Sequence, residues 1–258
     1  MSTLTFSQVS VRHGHALAVD RVDLTVSSGT VHGLVGESGS GKSTLAAAAV
    51  GLVRPSGGAI LLDGTDISRG NAAARRARRR VQLIFQDPFS ALDPHMSIGA
   101  SLMEAMRANS RGSRRSRQHR VSELLEMVHI DPQRARDLPA AFSGGQRQRI
   151  TIARALAAEP AVIIADEITS ALDVSVQGVI LNLLRELQLS LQLTMLFISH
   201  NLAVVRYVSD TVSVMREGRL VETGETEQTL SAPSHVYTRE LLAAVPVLGS
   251  RPDWDANP

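Results

Sequence analysis

Apolar and polar positions alternate from the start of the chain. Leu4, Phe6, Val9 and Val11 predict a strand over residues 3–11, and similar patterns recur at 19–26 and 31–35. Helical periodicity begins at Lys42 and runs into Gly51, with Arg54, Pro55 and the turn residues 56–58 closing it. Strand-like runs return at 59–62 and 81–85. From about 87 to 160 strand patterning nearly vanishes, while Val121, Leu124, Leu125 and Val128 line one helical face. A continuous apolar run at 162–165 predicts a buried strand, followed by a helix from 176 to about 191 and a strand at 195–199. Val212–Met215 and Leu220–Glu222 flank a hairpin-like turn at 216–219. Strands alternating with helices predict an α/β fold around a parallel sheet, interrupted by a helical insert.

The segment between the strand at 31–35 and the helix at 42 reads GESGSGKS, a complete match to the phosphate-loop pattern in the context it requires. Gly36, Gly39 and Gly41 let the backbone curl around one anion, with Glu37, Ser38 and Ser40 between them and Thr44 following. Lys42 would reach the β- and γ-phosphates of a nucleotide, and the Ser43 hydroxyl would ligate Mg²⁺. A ligand-free glycine turn would not explain strand, loop, lysine and helix in register. Lys42 is the only lysine among 27 basic residues. A compact ammonium suits a narrow loop where a planar guanidinium does not.

Such a site needs a carboxylate for the metal and a group to handle the attacking water. Asp166 and Glu167, at the end of the buried strand, supply both, since ligands bind at the carboxyl ends of parallel strands. An acidic strand end alone is equally compatible with ordinary surface. The discriminating segment is AFSGGQRQR at 141–149: Ser143 is a natural N-cap, and Gly144 and Gly145 open a helix running to about Ala157. Two anion-facing helix starts a hundred residues apart suggest two bodies sharing nucleotides.

With these motifs the chain resembles the ATP-binding subunits of ABC transporters. Residues 142–146 (FSGGQ) are similar to the family signature, with Phe142 for the usual leucine; residues 170–173 (SALD) resemble the D-loop; Gln86 stands where the Q-loop glutamine belongs, and His200 matches the switch histidine. The resemblance covers residues 3 to about 246. It implies a P-loop NTPase cassette with an N-terminal antiparallel β subdomain and an inserted α-helical subdomain. It also implies ATP and Mg²⁺ as ligands, with Ser43, Gln86 and Asp166 at the metal, Glu167 and His200 catalytic, and Asp173 and Gln146 at the nucleotide. Two subunits would pair head to tail, so that Ser143, Gly144 and Gly145 meet the γ-phosphate at the partner's loop, while the insert faces two membrane permeases.

Residues 85–94, 171–177, 197–202 and 235–246 resemble importers of dipeptides, oligopeptides and nickel, the last lying in a C-terminal extension over 231–258. Such systems use a second, often paralogous ATPase subunit and an external substrate-binding protein. Import of peptides or of nickel and other metal chelates is therefore implied; a soluble relative acting on DNA or the ribosome is the alternative. Three positions depart from the family pattern. His13 stands where an aromatic stacks on adenine, Ile168 replaces the proline after the catalytic glutamate, and Asn201 replaces the aspartate after the histidine. Weaker adenine binding with intact hydrolysis is the expectation.

Composition narrows this further. At 258 residues with 43% hydrophobic, the chain fits one large domain and excludes wholesale disorder. A net charge of +2 does not suggest a nucleic-acid coat protein. The absence of cysteine excludes thiolate metal sites, including a cysteine cluster that some relatives carry. Arginine clusters at 75–80 and 107–120 lack interleaved aromatics, so solvated helix faces near lipid headgroups are expected and nucleic acid is not. The longest uncharged apolar stretch, 45–53, is far short of the roughly 20 residues of a membrane helix. A peripheral place on the cytoplasmic face of the membrane is the expectation.

Overall fold

A computed structural model describes residues 2–244, apart from 15, 88–90, 108–112 and 171. Two sheets clasp one helix. The smaller sheet is antiparallel, in the order β2 (Ala16–Val26), β1 (Leu4–His13), β4 (Gly57–Leu62), β5 (Thr65–Asp66). The larger has the order β10 (Arg219–Glu225), β9 (Thr211–Arg216), β3 (Val31–Val35), β8 (Thr194–Ile198), β7 (Val162–Asp166), β6 (Val81–Ile84). Its strands from β9 to β6 run parallel, and β10 returns antiparallel on β9.

Period-two alternation decides what each strand buries. Ile164 on β7 and Leu196 and Ile198 on β8 point to a core shared with Leu4, Phe6 and Ile60 of the small sheet and with Leu45 and Ala49 of α1 (Lys42–Ala49). Ile163, Ala165, Met195 and Phe197 point the other way, into a second core under α5 (Gly144–Ala157), α6 (Val174–Leu191) and α7 (Leu202–Val208). These strands are apolar on both faces because both faces are covered, which is why they read as runs rather than alternations.

Between β6 and β7 the described chain is helical: α3 (Ile98–Arg107), α4 (Arg114–Met127), two 3₁₀ turns (Pro132–Arg136 and Pro139–Ala141) and α5. Val121, Leu124, Leu125 and Val128 are all buried there, as their spacing predicts. The first arginine cluster lies mostly on α2 (Ala72–Arg78), N-capped by Asn71, with Arg75, Arg76, Arg79 and Arg80 exposed. α2 and the short β5 have no periodic signature. The chain then adds α8 (Thr226–Ser231) and α9 (Val236–Ala243) after the hairpin. Among the described residues no helix is long and apolar enough to cross a membrane.

Candidate functional site

Because β3, β8, β7 and β6 are parallel neighbours, their carboxyl ends share one edge, and the sequence motifs follow directly from those ends. The loop at 36–41 leaves β3, Asp166 and Glu167 end β7, His200 follows β8, and Gln86 follows β6. The loop enters α1 through Gly41, whose φ of 106° is left-handed and whose missing Cβ avoids the Ala18 carbonyl on β2. α1 therefore begins without any side-chain cap.

Lys42 is buried, 4% exposed, and its ammonium donates to the Gly36 carbonyl (2.8 Å), the Glu37 carbonyl (2.7 Å) and Ser40 Oγ (3.2 Å). Burial lowers its pKa, an effect that the carboxylates of Glu167, Asp166 and Glu37 partly offset. Ser43 Oγ donates to Asp166 Oδ1 at 3.2 Å. Burial raises the pKa of Asp166 despite that bond, with the Glu167 carboxylate adding to the rise. Glu167 sits at φ 48°, a left-handed conformation uncommon outside glycine, with its N–H donated to the Ile198 carbonyl at 3.0 Å. Strained backbone of this kind costs about 1–3 kcal/mol and concentrates at functional sites. His200 Nδ1 lies 3.2 Å from Glu167 Oε1; an ionised carboxylate can only accept, so the imidazole donates.

Gln86 is elsewhere. Its amide donates to Ser170 Oγ at 3.0 Å, and Ser170 Oγ donates to the Glu167 carbonyl at 2.9 Å, so Gln86 reaches the site through Ser170 and not through the Ser43–Asp166 pair. Ser170 had no signal of its own beyond its place in the SALD segment. His13, the residue expected at the adenine, is exposed near the tip of the β1–β2 hairpin, paired with Ala16.

The second helix start is built differently. Ser143 Oγ accepts from the Gln146 N–H while the Gln146 side chain accepts from the Ser143 N–H, a reciprocal capping box. Gly145 packs so closely on α6 that a Cβ would lie 2.5 Å from Val176 Cγ1, and Gly144 faces Leu172. Phe142 is buried with the Arg134 guanidinium 3.9 Å above its ring, and Arg134 also pairs with Asp137. This clamp was not legible in the sequence, because Arg134 lies in an aperiodic segment. Among the described residues no hydrogen bond joins 143–146 to the loop at 36–44. Asp173 is exposed at the N-cap of α6 without capping it through its side chain.

The other departures have structural accounts. Ile168 is 1% exposed in the helix-side core. Asn201 caps α7 through bonds from Ala203 N (3.0 Å) and Val204 N (3.4 Å), as an aspartate would.

Fold and loop together define a P-loop NTPase of the ATP-binding-cassette type. The family model for ABC transporters matches residues 19–170, and the chain belongs to that family. Membership makes it an ATP-binding ATPase. A Brucella ovis protein named "Putative peptide import ATP-binding protein" is 49% identical over 240 residues, covering 93% of this chain and 74% of its own length. A Brucella abortus protein of the same name is 50% identical over 231 residues, 89% of this chain and 69% of its own. Among solved structures, CbiO1 from Clostridium perfringens, part of the ABC transporter complex CbiONQ, aligns with a TM-score of 0.80 at 27% identity, covering 94% of this chain and 95% of its own. The ATP-binding cassette MJ0796, in a dimeric post-hydrolysis state bound to ADP and Pi, aligns with a TM-score of 0.76 at 27% identity, covering 86% and 98%.

Proposed function

We propose that the chain is the ATP-hydrolysing subunit of a peptide importer. The observation that carries the catalytic part is the convergence of Lys42, the Ser43–Asp166 pair and the Glu167–His200 pair at one sheet edge. The cargo class follows the names of the Brucella relatives, which favour transport over work on DNA or the ribosome; nickel or metal chelates rest on the sequence resemblance alone. The subunit would pair head to tail with a second ATPase subunit, as MJ0796 forms a dimer, and dock on two permeases at the cytoplasmic face, with an external binding protein supplying substrate. We assign the cassette to residues 3–246, with the helical part at about 87–160 and a C-terminal extension from 231.

In this reading the Lys42 ammonium, positioned by the loop, turns part of its hydrogen bonding to the β- and γ-phosphates, and the N–H groups at the start of α1 bind the same anion. The Ser43 hydroxyl and the Asp166 carboxylate are hard oxygen donors side by side, the set that suits Mg²⁺, which when bound neutralises phosphate charge. A cation would also relieve the burial that disfavours ionised Asp166. Glu167 orients the attacking water and takes up its proton, and His200 holds the carboxylate in place. The Ser143–Gln146 helix start serves the partner's nucleotide, and Gln86 couples the site to the permeases.

Glu167→Gln tests the assignment. ATP binding should persist while hydrolysis falls at least about a hundredfold, and closed dimers should accumulate on a sizing column. Near-normal turnover would remove Glu167 from the chemistry.

A further inference from the structure

The last described helix reaches back to the phosphate loop. Tyr237, one of only two tyrosines in the chain, is 3% exposed on α9, and its hydroxyl accepts the Glu37 N–H at 3.3 Å. That N–H belongs to the same peptide group as the Gly36 carbonyl, which accepts from Lys42 at 2.8 Å. A trans peptide is planar, with N–H and C=O on opposite edges, so fixing one edge aims the other.

Tyr237 is itself held. The Arg216 guanidinium lies 4.7 Å from the centroid of its ring. Glu222, on β10, accepts from Ser234 N and Oγ (both 2.7 Å) and from His235 N (3.1 Å), anchoring the turn that starts α9. His235 then caps the helix by accepting the Tyr237 N–H at 3.1 Å.

We propose that Tyr237 is a positioning residue for the phosphate loop: its hydroxyl fixes the Gly36–Glu37 peptide so that Lys42 is held ready, and α9 thereby sets nucleotide affinity. The inference rests on the ATP-binding reading of the loop. Fixing the loop backbone before the nucleotide arrives lowers the ordering cost of binding.

Tyr237→Phe keeps the ring, its packing and the Arg216 contact, and removes one oxygen. ATP affinity by calorimetry should fall about 3–10-fold, the worth of roughly one hydrogen bond. KM should rise in step, with kcat at saturating ATP and the melting temperature nearly constant. A purely packing role for the side chain leaves affinity untouched in this variant, and that result overturns the proposal. Glu222→Gln, which loosens the anchor, should weaken affinity about twofold to threefold. Combined with Tyr237→Phe it should add almost nothing, because the two act in series. Additive losses would overturn the coupling through α9. Should the unmodified protein fail to bind ATP, the reading of the loop itself falls; normal binding with an unaltered Phe variant overturns only Tyr237.

Discussion

The two glycine-bearing helix starts, at α1 and α5, are opposites in construction. α1 begins at a left-handed glycine with no side-chain cap, and its neighbouring lysine is folded back on loop carbonyls. α5 begins at a serine whose capping box already satisfies two backbone donors. The first start is open and carries its own counter-charge, so it can take a phosphate from solution. The second is closed by its own chain, clamped from behind by Arg134 on Phe142 and from the side by Val176 against Gly145. With two of its backbone donors already satisfied, it is suited to complete a site formed elsewhere, as the proposed head-to-tail pairing requires. An ATPase whose site needs both would be silent until two cassettes meet.

Removing the charge from the open start should have the largest effect. Lys42→Ala leaves three acceptors without a donor and should lower ATP affinity by at least about a hundredfold, measured by calorimetry on the isolated chain. An affinity within a few fold of normal would mean that the loop's N–H groups suffice. The strand feeding this start has its own weakness. His32 on β3 is buried between Ser213 Oγ (2.9 Å) and Thr211 Oγ1 (2.8 Å), and burial brings its pKa down to about 4 from 6.5. The unfolded chain therefore binds more protons between those values, and stability should fall as pH drops from 6.5 through 4, by about 3 kcal/mol in all. Denaturant titrations across that range should lose this dependence in His32→Asn.

At the closed start the effect should appear only in hydrolysis. Gly145→Ala must push α5 away from Val176. ATPase activity should fall about tenfold, while ATP affinity of the single chain stays as it was. Equal loss of affinity would show that the two starts are not independent.

What was legible in the sequence divides along the same line. The open start was written as a contiguous string, since a loop that binds phosphate with its backbone needs its glycines and lysine adjacent. The strands at 31–35, 162–165 and 195–199 were legible because burial on both faces leaves nearly continuous apolar runs, broken only by His32 and Ser199. The N-cap at Ser143 was legible from its residue type, whereas the reciprocal bond through Gln146 emerges only in the structure. Tertiary contacts were not: Arg134 on Phe142 comes from an aperiodic turn, while Ser170 under Gln86 spans 84 residues and Tyr237 on Glu37 spans 200. β5 and α2 have too few residues to show a period. Gln86, expected at the metal, illustrates the limit, because its partner is chosen by the tertiary approach of two loops.

The smallest effect belongs at the outer edge of the open start. Within β2, Ala16, the partner of His13, lies two residues, about 7 Å, along the strand from Ala18, whose carbonyl would meet a Cβ at Gly41, so the hairpin tip neighbours the phosphate loop. A ring at position 13 would overhang whatever base accompanies phosphates on the loop. Imidazole offers less face than phenol, so His13→Tyr should tighten ATP by about twofold to fivefold. The gain should be the same for ADP, because stacking ignores the γ-phosphate, whereas Lys42→Ala should cost more with ATP than with ADP. A gain confined to ATP would place position 13 near the phosphates. No gain at all would mean that the exposed tip does not reach the base, and that the open start holds its nucleotide by the phosphates alone.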